Sequence, residues 1–243
     1  MQRRAPLLLA LAALAVASGA HGQGRPRGGP WGGGRPYANP SAIVAAEIAF
    51  NRLAQEKGQW TAFREFAAED AVMFVPQPVN ARGWLKGRAN PPASVRWQPG
   101  AVWMSCDGSL ALSKGAWQRP DGSTGYFTTI WRRNKKDAYE WILDQGDALA
   151  QPLDTPDMIA GTVADCDAAR RGPPPGGGKV KFAPAAPGPL APGASGGGAS
   201  LDGTLSYAYS VGPDNGRTLT VSLRKNGAME QVLDSRVAPG PAS

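Results

Sequence analysis

Histidine is almost absent from this chain, and the single one, His21, stands near the N-terminus. That removes the common route to general-base catalysis at neutral pH and the Ser-His-Asp arrangement. Cysteine is nearly as scarce: Cys106 and Cys166 are the only two, and no histidine stands near them to complete a metal centre. Long apolar runs are missing too. The longest, Ala5 to Ala17, covers about thirteen residues, whereas a membrane-spanning helix needs about twenty, so no transmembrane segment is expected. The glycine runs Gly32-Gly33-Gly34 and Gly176-Gly177-Gly178 lack the strand-to-helix setting and the Lys-Ser or Lys-Thr of a phosphate loop. They are low complexity, and no metal or cofactor is expected.

A shortage of positive charge in the middle of the chain qualifies the formal net charge of +7. Ser41 to Asp167 carry 13 Lys and Arg against 15 Asp and Glu, so the excess of basic residues sits in the flanks. A nucleic-acid-binding domain would concentrate that charge on its folded part, and no nucleic-acid partner is expected.

What is present begins with a three-part leader. Met1-Gln2-Arg3-Arg4 supplies a positive start, Ala5 to Ala17 an apolar stretch, and Ser18 to Gly22 small residues. This is the pattern of a secretory signal peptide over residues 1–22, cleaved after Ala20 or Gly22, and it makes the mature protein periplasmic or secreted. An even number of cysteines in an oxidising compartment favours a Cys106 to Cys166 disulfide, with two unpaired thiols as the alternative.

Residues 23–38 are rich in Gly, Pro and Arg and read as a disordered arm. Asn39-Pro40 looks like a helix start, and Ile43, Ala46, Phe50, Leu53 and Ala54 recur at helical spacing until Gly58. A second short helix carries Trp60, Phe63 and Phe66 and runs to about Asp70, and a short β-rich run covers Ala71 to Val75. Asn80 to Gly87 suit one helical turn. Ala101 to Cys106, Leu110 to Gln118, Gly125 to Arg133 and Tyr139 to Gln145 then read as an antiparallel meander broken by Asp-Gly turns. In its third strand Tyr126, Thr128 and Ile130 point one way and Phe127, Thr129 and Trp131 the other. Asp144 to Cys166 reads as an irregular extension, closing a domain over 39–168. Residues 169–200 read as a Gly/Pro-rich linker, and 201–238 as a small unit of three strands joined by Pro213-Asp214-Asn215-Gly216 and Asn226-Gly227.

Ala46-Glu47 to Phe50, Gly58 to Phe63 and Ala67 to Pro76, followed by Gly115-Ala116-Trp117, Gly125 to Arg132 and Tyr139 to Asp144, resemble SnoaL-like domains. These belong to the nuclear-transport-factor-2-like, or cystatin-like, superfamily, and the resemblance is closer to a branch of exported bacterial proteins. It implies an α+β fold in which a curved antiparallel sheet wraps N-terminal helices into a cone with a pocket at its open end. It implies no single activity.

Carboxylates and aromatics supply the candidate chemistry. Asp70 and Asp144 are candidate bases, and Tyr126 a candidate phenol donor beside one of them, as in an isomerase or hydro-lyase. The plainer roles are a turn or cap for Asp70 and a solvated strand end for Asp144. Of eight tryptophans, seven lie from Trp60 to Trp141, more than a small core ordinarily uses, so Trp97, Trp117, Tyr126 and Trp141 are expected to line a cavity for an apolar or aromatic small molecule. The leading reading is a non-catalytic binding or interaction module. A small-molecule isomerase or hydro-lyase is one alternative, and a structural envelope protein that forms a homodimer through its sheet is another.

Overall fold

The computed structural model describes residues 38–154, 156–166 and 194–239. The expected signal peptide and most of the arm and linker lie outside them. The described residues belong to one compact unit of mixed α and β structure.

Helix α1, Pro40–Lys57, starts with proline at its first turn and ends at Gly58, whose φ of 98° only glycine adopts without strain. It buries Ile43, Glu47, Phe50 and Ala54, a stripe with the spacing of one helix face. Helix α2, Gln59–Phe66, follows at once. It is shorter than the sequence suggests, because the chain turns extended at Ala67 and Asp70 already lies in strand β1, Ala67–Phe74. Strand β2, Pro78–Asn80, and the single turn of α3, Ala81–Leu85, come next, with the Asn80 side chain accepting a hydrogen bond from the Gly83 N–H as an N-cap.

The expected meander is present as β3, Arg96–Met104, β4, Leu110–Gln118, β5, Thr124–Arg133, and β6, Tyr139–Leu149. The stretch read as an irregular extension contains the end of β6 and a further strand, β7, Ala160–Val163, which adds to β3 in parallel. The larger sheet has the order β2-β1-β6-β5-β4-β3-β7. Cys106, in the turn after β3, is bonded to Cys166, just beyond β7, with 5.1 Å between their Cα atoms. A link across 60 residues restricts the unfolded chain far more than the folded one.

The C-terminal unit has four strands, not three: β8, Ser195–Ala199, β9, Leu205–Val211, β10, Arg217–Lys225, and β11, Ala228–Val237, in the order β11-β10-β9-β8. Strand β8 comes from residues expected to be linker. Its glycines are needed there, since a Cβ on Gly197 would stand 2.4 Å from the Tyr207 carbonyl oxygen.

Alternation along β5 divides the two sides of the larger sheet. Phe127, Thr129 and Trp131 face α1 and α2, where Trp131 meets Phe50 and Phe66 edge-on. Tyr126, Thr128, Ile130 and Arg132 face the other way, where the four-stranded sheet packs. Leu205, Leu219, Val221, Leu223 and Leu233 of that smaller sheet join the same buried core as Ile130 and Leu143. The described residues are therefore built in three layers, helices, large sheet and small sheet, with the large sheet as the shared wall.

Candidate functional site

Between the two helices and the large sheet lies a cavity of about 330 Å³. Phe50 of α1, Trp60 and Phe63 of α2, Trp97 of β3, Trp117 of β4 and Phe127 of β5 give it aromatic walls, and Asp144 and Thr129 meet at its polar end. Arg119 stands at the lining with its guanidinium 4.6 Å from the Trp117 ring centre. Aromatic faces close together exclude water and leave a few polar groups to orient what enters.

Asp144 reaches this side because of a bulge. Trp131 pairs with Trp141 and Ile130 with Leu143, so Ile142 is an extra residue in β6 and the alternation slips by one. Trp141 and Asp144, three apart, consequently face the same side. Protein atoms crowd Asp144 except where it borders the cavity, and this desolvation pushes its carboxyl up to about 7. The Thr129 hydroxyl donates to Oδ2 at 2.8 Å and opposes the rise, while the nearby Glu47 adds to it.

Glu47 is the site residue that the sequence reading passes over. It is fully buried, and its carboxyl accepts from Ser113 Oγ, from Trp131 Nε1 at 3.1 Å and from Trp97 Nε1 at 2.9 Å. Burial raises its pKa against the pull of these three donors. Through Trp97 it fixes the tilt of one cavity wall. Its signal is present in the sequence as a carboxylate in register with Ile43, Phe50 and Ala54 on an otherwise apolar stripe.

The other candidate residues fall in different places. Trp97 and Trp117 line the cavity. Trp141 is fully buried behind Phe63, donating Nε1–H to the Phe63 carbonyl at 3.1 Å. Tyr126 is on the opposite face of the sheet, its hydroxyl 3.0 Å from Ser235 Oγ in the smaller sheet, so it is not a phenol beside Asp144. Asp70 is on that opposite face too. Arg132 donates to both its oxygens, at 2.8 and 2.6 Å, and that guanidinium holds the Asp70 carboxyl below its ordinary range. Its role in the structure is an ion pair between strands β1 and β5, not a turn or a cap.

No family model matches the chain and no curated protein matches it. Several solved structures do, at low identity. An NTF2-like protein of unknown function from Mesorhizobium loti is 14% identical, covers 47% of this chain and 97% of its own, and gives a TM-score of 0.33. A protein of unknown function with a cystatin-like fold from Methylobium petroleophilum is 10% identical over 63% of this chain and 99% of its own, with a TM-score of 0.34. A proposed ketosteroid isomerase from Parabacteroides distasonis is 16% identical over 48% of this chain and 98% of its own, with a TM-score of 0.38. Two of these three neighbours are thus an NTF2-like protein and a protein with a cystatin-like fold.

Among the described residues no helix is long and apolar enough to cross a membrane. The disulfide is compatible with an extracellular or periplasmic protein.

Proposed function

We propose that this is an exported SnoaL-like protein that binds a small ligand with a flat apolar body in the cone formed by α1, α2 and β3 to β6, and that Asp144 recognises a donor group or positive charge on it. What carries this reading is the cavity itself, aromatic on its walls and carboxylate at one end. Trp97, Trp117 and Phe127 supply the flat contacts. A ligand N–H or ammonium would meet the Asp144 oxygen that Thr129 leaves open and would bring the carboxyl back towards its ordinary range. Export rests on the leader at residues 1–22, and the mature chain isolated from the periplasm should begin at His21 or Gln23.

Native mass spectrometry of the protein purified from its own periplasm tests the binding reading, and is expected to show a retained small molecule. Quenching of the cavity tryptophans by aromatic amines, neutral aromatics and aromatic acids gives its polarity, with the amines binding best and Asp144→Asn removing their advantage. A protein that arrives empty and binds none of the three classes would sink the reading.

A specific observation supports a second role for the same group. A carboxyl that titrates near 7 is poised to take and return a proton, as an isomerase or hydro-lyase requires. Thr129 is its hydrogen-bond partner and no phenol hydrogen-bonds to it among the described residues, which is why binding is the leading reading. Catalysis would appear as deuterium uptake by a bound carbonyl compound, lost in Asp144→Asn.

A further inference from the structure

Two turns of the chain carry one pattern. Ser105-Cys106-Asp107-Gly108-Ser109-Leu110 joins β3 to β4, and Ser200-Leu201-Asp202-Gly203-Thr204-Leu205 joins β8 to β9. Within each, the aspartate accepts from both hydroxyl-bearing residues, and its glycine takes a φ of 65° or 69°. The turns also hold each other. The Asp107 N–H donates to the Asp202 carboxylate at 2.8 Å and the Asp202 N–H to that of Asp107 at 3.2 Å. The Cys106 N–H donates to the Thr204 hydroxyl and the Leu201 N–H to that of Ser109, each at 2.9 Å. Every bond has a counterpart with the turns exchanged, which is the mark of a contact about a two-fold axis.

The correspondence continues along the strands. Five residues after the aspartates, Leu112 pairs with Ile130 and Tyr207 with Val221. Ile130 pairs in turn with Leu143, and Val221 with Leu233. Immediately before each of these leucines the register slips by one residue, at Ile142 and at Val232, and an aspartate follows each, Asp144 and Asp234. The strand orders β6-β5-β4-β3 and β11-β10-β9-β8 agree. At the far end the contact is reciprocal again. Gln145 donates to its own equivalent, Ser235, at 3.1 Å, Tyr126 meets Ser235 at 3.0 Å, and Arg217, the equivalent of Tyr126, donates to Gln145 at 3.1 Å. A four-strand meander is common enough that the shared order alone would mean little. Neither the bulge, the turn pattern nor the exchanged bonds is demanded by that topology.

We propose that β8 to β11 are a second copy of the β3 to β6 meander, and that the outer face of β3 to β6 is a self-recognition surface whose partner, a copy of that meander, is carried in the same chain. The surface that would join two chains is filled from within, so no homodimer forms through it. The copies differ on the other side. Trp131 and Trp141 of the first correspond to Ser222 and Gln231 of the second, and Asp234 pairs with Arg236 at the surface. The second copy keeps the docking face and has none of the aromatic wall.

The test uses the full chain and the residues nearest the axis. Gln145→Ser or Ser235→Gln alone removes or crowds the bond between equivalents and should lower Tm by about 2–4 °C. The exchange of both restores a Gln and Ser pair with its sense reversed, and a two-fold contact should recover most of the summed loss. Losses that simply add would overturn the proposal. Native mass spectrometry of the unaltered protein across concentration keeps the question open to refutation should the variants not fold. A monomer is expected, and a homodimer in which the Tyr126 to Arg132 face gains hydrogen-exchange protection over the monomer would overturn it.

Discussion

Asp144 and Glu47 sit on one side of the sheet as two desolvated carboxyl groups, and the pH dependence of folding should show it. Asp144 titrates near 7 folded against 3.8 for an unperturbed aspartate, so between these values the folded state holds the extra proton. Stability therefore falls as pH rises from about 4 to about 7 and levels off above. Glu47, also raised, acts in the same direction. Asp70 acts oppositely: its lowered pKa gives stability that is lost as pH falls below the ordinary carboxylate range. Urea unfolding of Asp144→Asn against the native chain at pH 5 and pH 8 should show the variant relatively more stable at the higher pH. Equal differences at both would show that Asp144 is not the group responsible.

Two further substitutions belong to this scale. Glu47→Ala leaves the Trp97 indole N–H without its acceptor, while Trp131 keeps Ser113 Oγ at 2.9 Å, and should cost about 1–3 kcal/mol, read from the urea midpoint. Thr128 is the reverse case. Its hydroxyl is buried with no hydrogen-bond partner among the described residues, so Thr128→Val should stabilise by roughly 1 kcal/mol. The helix stripe marks Glu47 as buried, but its partners lie 50 or more residues away, and Thr128 faces the smaller sheet, so neither set of surroundings is local in sequence.

At the scale of elements, the meander was legible because its turns and its alternation are local. Tyr126, Thr128 and Ile130 do share one face, as the period of two requires. What local pattern could not say was which face holds the helices, and Tyr126 falls on the wrong side for a cavity residue. The bulge at Ile142 was hidden for a similar reason: it is a property of pairing with β5, and along β6 alone Trp141 and Asp144 alternate to opposite sides. The α2 to β1 boundary moved because Ala67 to Asp70 have no turn signal, and pairing of Ala67 with Trp141 decides it. Strand β8 escaped notice because Ser-Gly-Gly-Gly-Ala has no strand propensity and is held by its neighbour β9. Gly197→Val, favourable by propensity, should instead destabilise by about 1–3 kcal/mol because its side chain would push against the β9 backbone, and thermal unfolding would measure it.

At the scale of the whole molecule, the α+β class was legible in the helical spacing before Gly58 and the alternating strands after Ala101, while the attention to carboxylates and aromatics came from what the chain lacks, since without histidine little else was left to titrate near neutral pH. The disulfide also followed from the compartment that the leader implies. Cys106→Ser with Cys166→Ser should lower stability by about 4 kcal/mol, measured by denaturant unfolding of the mature protein. The loss should fall on both sheets together, because Cys106 donates its N–H to Thr204 within the clasp between the turns.

The paired bulges at Ile142 and Val232 also carry a chronology. On the proposed doubling, a kink shared by both meanders at the same step belongs to the unit that was doubled. The aspartate two residues beyond it is common to both, whereas the aromatic wall distinguishes the copies.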